Sequence, residues 1–175
     1  MTPDIQTLFS GIRLLLLDVD GVLTDGGISY SGPETETKTF SVRDGLGIKM
    51  VMAAGLQVGI VTGRSSSALS RRCRELGITC VYDDVWDKSA ALAPIMTETG
   101  IGSFREVAFI GDDLPDIPLL KKVGLPIAVA NAHPEVIRVA AMVTTAEGGR
   151  GAVREVCENL LRSQGLWQQA LATYL

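Results

Sequence analysis

Asp18 and Asp20 close the apolar run Leu14-Leu15-Leu16-Leu17 and lead into Gly21-Val22-Leu23-Thr24. Carboxylates buried beside four leucines are costly unless a cation or a reaction needs them there. The run reads as a buried strand opening into a loop, and open α/β sheets place their active sites at the carboxyl ends of strands. The pair is therefore a candidate catalytic centre.

Three further motifs end apolar runs or begin a helical pattern: Val61-Thr62-Gly63-Arg64, then Trp86-Asp87-Lys88, then Gly111-Asp112-Asp113-Leu114-Pro115-Asp116. Each is weak alone; in this order at strand ends they are strong together. Adjacent strand ends would bring Asp18, Asp20, Asp112, Asp113 and Asp116 into one small volume. Two unit charges about 4 Å apart repel by roughly 4 kcal/mol at an effective dielectric near 20, so five acids there need a cation. Hard oxygen ligands point to Mg²⁺ rather than zinc.

The elements that must position these residues alternate. Ile12–Leu17, Val58–Val61, Cys80–Tyr82, Val107–Ile110 and Ile127–Val129 read as short buried strands. Helical patterns cover Leu46–Ala54, Ser66–Leu76, Lys88–Thr99, Pro115–Val123, Pro134–Ala140 and Ala152–Ser163. Brief connections between them predict one doubly wound α/β domain over residues 1–175, a parallel sheet covered on both faces. One segment breaks the alternation. Residues 26–41, with Ser31-Gly32-Pro33-Glu34 between two threonine- and serine-bearing stretches, read as an inserted β-hairpin whose edges invite pairing with another subunit. The tail from 164 to 175 carries an apolar stripe of Leu166, Trp167, Ala170, Leu171 and Tyr174 at helical spacing.

With 175 residues, 46% of them hydrophobic, the chain suits one well-buried core. The net charge of −4 and the lack of a basic block argue against a nucleic-acid surface. No apolar run approaches the roughly 18 residues of a membrane span, and Met1-Thr2-Pro3-Asp4 lacks the features of a signal peptide. Cys73, Cys80 and Cys157 lack metal-site spacing and fit reduced, buried thiols, so a cytoplasmic location is expected. Asp44 reads as the N-cap of the helix that follows, with a hydroxyl-binding role second. His133, before Pro134, reads as a capping or packing residue.

From about Ile12 to Arg154 the chain resembles the haloacid dehalogenase-like phosphohydrolases, through the four motifs quoted above. The resemblance implies that Asp18 is the nucleophile, forming an aspartyl-phosphate. Asp20 is then the general acid and base, worth roughly 10²–10⁴-fold per proton transfer. Thr62, the Gly63 amide and Lys88 clamp the phosphoryl oxygens. The metal is held by Asp18, the Asp20 carbonyl and Asp112, with Asp113 or Asp116 acting mainly through water or supporting bonds. Arg64, just past the Thr-Gly turn, can project over the mouth toward a substrate carboxylate.

The gaps between motifs leave no room for a large cap domain. An uncapped centre with a hairpin after the first motif, Val42-Arg43-Asp44-Gly45-x-Gly47-Ile48, and Gly148-Gly149-Arg150-Gly151 is similar to the 3-deoxy-D-manno-octulosonate 8-phosphate phosphatase family. That similarity implies hydrolysis of a phosphorylated eight-carbon 2-keto sugar acid in lipopolysaccharide precursor synthesis. It also implies a homotetramer, with Arg150 reaching a neighbour's site. Phosphatases for nine-carbon 2-keto sugar acid 9-phosphates carry similar motifs, and Trp86-Asp87 departs from the polar residues expected of the eight-carbon enzyme. From another class, receiver-like switch domains also join acids, a Thr and a Lys on a parallel sheet. They lack an acid two residues after the phosphorylated Asp, the place Asp20 fills.

Overall fold

The computed structural model describes residues 5–32 and 35–175. Met1 to Asp4, and Pro33 and Glu34 of the expected hairpin turn, lie outside the described residues. Six strands form one parallel sheet: β1 (Leu14–Leu17), β4 (Gln57–Val61), β5 (Cys80–Tyr82), β6 (Val107–Gly111), β7 (Leu125–Ala128) and β8 (Met142–Val143). The remaining strands, β2 (Ser29–Gly32) and β3 (Thr35–Thr37), pair antiparallel as a separate sheet. In chain order the helices are α1 (Ile5–Ser10), α2 (Val42–Ala53), α3 (Ser67–Leu76), α4 (Lys88–Thr99), α5 (Ile117–Leu120), α6 (Pro134–Val139), α7 (Ala152–Ser163) and α8 (Trp167–Ala172).

The sheet runs β5-β4-β1-β6-β7-β8. The chain thus moves outward from β1 to one edge, then returns to build the other half, which makes the gap between β1 and β6 the topological switch point. All four leucines of β1 are fully buried, as a strand covered on both faces requires. Leu17 lies opposite both Ile60 and Ile110, so β1, β4 and β6 end at one level. The residues that follow them, Asp18, Thr62 and Asp112, are carried to one crevice by this register alone.

Several expected boundaries move for local reasons. Helix α2 begins at Val42 rather than Leu46, because Ser41 is its N-cap: the Ser41 hydroxyl accepts from the Asp44 amide at 3.3 Å. This corrects the reading of Asp44 as that cap. The stretch from Pro115 to Val123 divides into a 3₁₀ turn, Leu114–Asp116, and the short α5. Strand β8, two residues long, and α1, six residues long, are too short for periodicity to reveal. Leu166, Trp167 and Ala170 of the tail pack on the chain's own core, with the Arg162 guanidinium over the Trp167 ring at 4.2 Å. Tyr174 of the same stripe remains exposed. The three cysteines are buried and unpaired. No helix among the described residues is long and apolar enough to cross a membrane.

Candidate active site

Asp18 is fixed where β1 ends: its amide donates to the Ile110 carbonyl at 3.1 Å, and only 6% of the residue is exposed. Lys88 begins α4, whose N-cap Asp87 accepts from the Ser89 and Ala90 amides. The Lys88 ammonium lies 2.8 Å from Asp18 and 2.6 Å from Asp116. Asp116, almost wholly buried, turns its other oxygen to the amides of Asp112 (2.8 Å) and Asp113 (3.2 Å). Both of its oxygens are thereby engaged, and it fixes the lysine and the Asp112 loop together. The Asp112 carbonyl accepts from the His133 amide at 2.7 Å, while the His133 ring nitrogen caps α6 by accepting from Glu135. His133 is a capping residue, as its sequence context implies.

Carboxylate oxygens of Asp18, Asp112 and Asp116 lie within 4.8 Å of one another. Three carboxylates against one ammonium leave two negative charges, the complement of one divalent cation. Asp112 Oδ1 is buried with no hydrogen-bond partner among the described residues, an oxygen aimed at nothing in the chain. The donor set is all oxygen, as Mg²⁺ prefers, and the fit is good. Burial, then the Asp116 charge, raise Asp18 to about 6 despite Lys88. Burial, then Asp18 and Asp116, raise Asp112 to about 8. Burial alone would lower Lys88; the two carboxylates outweigh it and hold the ammonium charged. Gly21 makes room for this arrangement. Its φ of 92° is open to glycine, and a Cβ there would stand 2.0 Å from Asp112 Oδ2.

All five acids line one cleft, and three of them, Asp18, Asp112 and Asp116, bring carboxylate oxygens close to one another. Asp113 is exposed, and its Oδ1 accepts from the Leu114 amide at 2.8 Å as the cap of the 3₁₀ turn. Asp20 lines the same cleft, but its carboxylate is bonded to Lys38. The cleft, of about 360 Å³, is also lined by Thr62, Gly63 and Arg64. Thr62 is buried; its amide and carbonyl join it to Tyr82 and Val85. Arg64 is half exposed at the mouth, 2.8 Å from Glu36 and 3.9 Å from Asp20. Between Thr62 and Lys88 the chain supplies only α3 and β5, and between β1 and β4 only the β2–β3 pair and α2, so none of these insertions is a cap domain.

Two expected binding residues lie elsewhere. Asp44 is buried between helices, its carboxylate accepting from the Arg154 amide at 2.7 Å and the Gly151 amide at 3.3 Å. It serves the N-terminus of α7, where orphan amides and the helix dipole favour an anion, and it is absent from the cleft. Arg150 is 67% exposed, 3.6 Å from Glu147. Its neighbours Gly148 and Gly149 pack on the loop after β1: the Gly149 amide donates to Val22, and a Cβ at Gly148 would meet the Gly21 carbonyl at 1.6 Å. Glu36 and Lys38 are the residues that the sequence reading missed. Their signal was a period of two in Glu36-Thr37-Lys38-Thr39, which puts both charges on one face of an extended segment.

Residues 80–155 match the family model of the haloacid dehalogenase-like hydrolases. The 3-deoxy-D-manno-octulosonate 8-phosphate phosphatase of Salmonella typhimurium is 45% identical over 170 residues, 97% of this chain and 90% of that one. The crystal structure of the enzyme of that name from Yersinia pestis superposes with a TM-score of 0.92 at 42% identity, over 95% of this chain and 89% of that one. The Moraxella catarrhalis phosphatase, solved with magnesium, phosphate and KDO, gives 0.95 at 40% identity over 100% of both chains. Identity of this extent, on a sheet that brings Asp18, Lys88 and Asp112 to one crevice, makes this chain a member of the haloacid dehalogenase-like hydrolases, in the 3-deoxy-D-manno-octulosonate 8-phosphate phosphatase family.

Proposed function

We propose that this chain is a Mg²⁺-dependent phosphomonoesterase that hydrolyses 3-deoxy-D-manno-octulosonate 8-phosphate to the free sugar acid and phosphate, a step in making lipopolysaccharide precursors. The observation that carries this reading is the 45% identity to a phosphatase of that name across 97% of the chain. The Moraxella catarrhalis enzyme, solved with magnesium, phosphate and KDO, supports the metal and the sugar. All three relatives named above bear the eight-carbon name, which favours that acid over the nine-carbon alternative. Membership in a hydrolase family sets aside the receiver-like switch.

In the proposed reaction an Asp18 oxygen attacks phosphorus as the bond from phosphorus to the sugar oxygen breaks. Asp20 gives its proton to that leaving oxygen. Water then attacks the aspartyl-phosphate, its proton passes to Asp20, and Asp18 is released. Lys88 neutralises phosphoryl oxygens beside Asp18, and the Thr62 hydroxyl with the Gly63 amide donates to them. Mg²⁺, which Asp18, the Asp20 carbonyl and Asp112 would hold with Asp116 behind them, would supply positive charge against the phosphoryl group and keep Asp18 ionised. Arg64 offers its fork to the substrate carboxylate at the mouth.

The reading extends to a single domain over residues 1–175, for which the shared sheet from Leu14 to Val143 is the support. Three buried, unpaired thiols support a cytoplasmic location. Exposed Tyr30 and Val42, on and just after the inserted strands, support subunit contact there. In the homotetramer we envisage, Arg150 reaches a neighbouring cleft; a monomer in sedimentation at micromolar concentration would remove that role. Turnover of eight- and nine-carbon sugar-acid phosphates with Mg²⁺, beside simple hexose phosphates, tests the substrate. The eight-carbon ester should give the highest kcat/KM, and equal turnover of hexose phosphates would overturn the reading.

A further inference from the structure

Besides Lys88, Lys38 is the other buried ammonium among the described residues; its side chain is only 1% exposed. It follows β3, outside the main sheet, and nothing in the four strand-end motifs contains it. Its ammonium is bonded to Asp20 Oδ1 and stands 3.2 Å from Glu36 Oε1. Glu36 in turn accepts from Arg64 through its other oxygen. Asp20 Oδ2 is buried and has no hydrogen-bond partner among the described residues. Arg64 Nε stands 3.9 Å from it, beyond a hydrogen bond.

An ammonium donates and cannot accept. While Lys38 holds Oδ1, that oxygen must act as acceptor, so a proton on the Asp20 carboxyl belongs on Oδ2. Oδ2 is also the oxygen that no group among the described residues engages, on a residue that lines the cleft. We propose that Lys38 is a positioning residue for proton transfer: it fixes the rotation of the Asp20 carboxyl and assigns Oδ2 to carry the proton to and from the reacting oxygen. Glu36 completes the device by holding Lys38 from the other side and engaging Arg64, so that neither cation swings toward the phosphoryl site. The inference rests on Asp20 being the acid and base, and goes beyond it by naming the group that aims it.

The test separates leaving groups. An alkyl ester such as octulosonate 8-phosphate needs a proton on its departing oxygen; p-nitrophenyl phosphate does not, since its phenolate is stable. Values of kcat/KM report only the steps through phosphoryl transfer. Lys38→Met should lower kcat/KM for the sugar ester by roughly 10–100-fold and for the aryl ester by less than about threefold, a part of the general-acid effect. Asp20→Asn should show the same selectivity more strongly, and the double variant should be no slower than Asp20→Asn alone. Equal losses on both esters in Lys38→Met, or additive losses in the double variant, would overturn the positioning role. Absence of selectivity in Asp20→Asn itself would instead overturn the reading of Asp20. Should circular dichroism find Lys38→Met unfolded, Lys38→Arg decides. It keeps the charge and shifts its geometry, so a smaller but still ester-selective loss supports the role, and an even loss overturns it.

Discussion

The cleft has two walls built in different ways. One is the end of the main sheet, where Asp18, Thr62 and Asp112 follow buried strands whose register is fixed over several residues, and where Lys88 and Asp116 are bonded into the same block. The other carries Asp20 and Arg64, which are held from outside the cleft by Glu36 of β3 and by Lys38 just after it. On the first wall the backbone sets each group's place, because the strands cannot slip without exposing leucines. On the second, an ion-pair chain running from Arg64 through Glu36 and Lys38 to Asp20 does that work. In the proposed reaction the attacking oxygen would thus sit on a rigid half and the proton carrier on an electrostatically held one.

The largest effect should come from the rigid wall. Asp18→Asn removes the attacking charge and should lower turnover by at least about 10⁴-fold on every phosphate ester, activated or not. The fold should survive: Asp18 is raised to about 6 by burial, so the neutral amide relieves a desolvation cost in the metal-free protein. Stopped assays for phosphate release together with thermal melts check both halves. Retained turnover in a clean preparation would break the nucleophile assignment. Gly21→Ala should follow in size. Its methyl would collide with Asp112 at a backbone angle that disfavours side chains, so Asp112 must swing away. We expect a loss of about 10–100-fold in magnesium affinity by titration calorimetry. Unchanged affinity would show that Asp112 does not hold the ion.

Asp44→Ala sharpens the same contrast from outside the cleft. The substitution leaves the Gly151 and Arg154 amides without their acceptor at the start of α7. A stability loss of about 1–3 kcal/mol in denaturant unfolding is expected, with kcat/KM within about threefold of the parent protein. A large catalytic loss at unchanged stability would return Asp44 to the site.

What was legible in the sequence follows the same division. Asp18, Thr62, Lys88 and Asp112 stood out because each is tied to a strand end or a helix start, and apolar runs mark those places. Helices α4 and α7 and strand β5 fall where their patterns end. Asp113 also reaches the cleft, but its Oδ1 is taken up in capping a 3₁₀ turn, a local bond that adjacency along the chain does not announce. Asp44 was misplaced on account of distance along the chain. Its partners are over a hundred positions away at Gly151 and Arg154, and no local pattern announces such a contact. Lys38 lay in a polar, threonine-rich segment, where a lysine ordinarily faces water, and only the fold reveals that Asp20 and Glu36 enclose it.

The smallest effect, and the one that probes the charge balance directly, is the pH dependence of stability. In the metal-free protein Asp112 titrates near 8 and Asp18 near 6, against an ordinary 3.8 for both. Between about 4 and 8 the native state therefore keeps protons that the unfolded chain has lost. Stability rises with pH only where the unfolded state binds more protons, so here it must fall as pH rises through that window and level off above it. A cation at the same oxygens displaces those protons, and its binding strengthens over the same interval. Melting curves in chelator should move down from pH 6 to pH 8, while those in saturating Mg²⁺ move less, so the gap between them widens. A chelator curve that rises over this range, or a gap that narrows, would mean that the strand-end carboxylates do not carry the uncompensated charge on which the cation site depends.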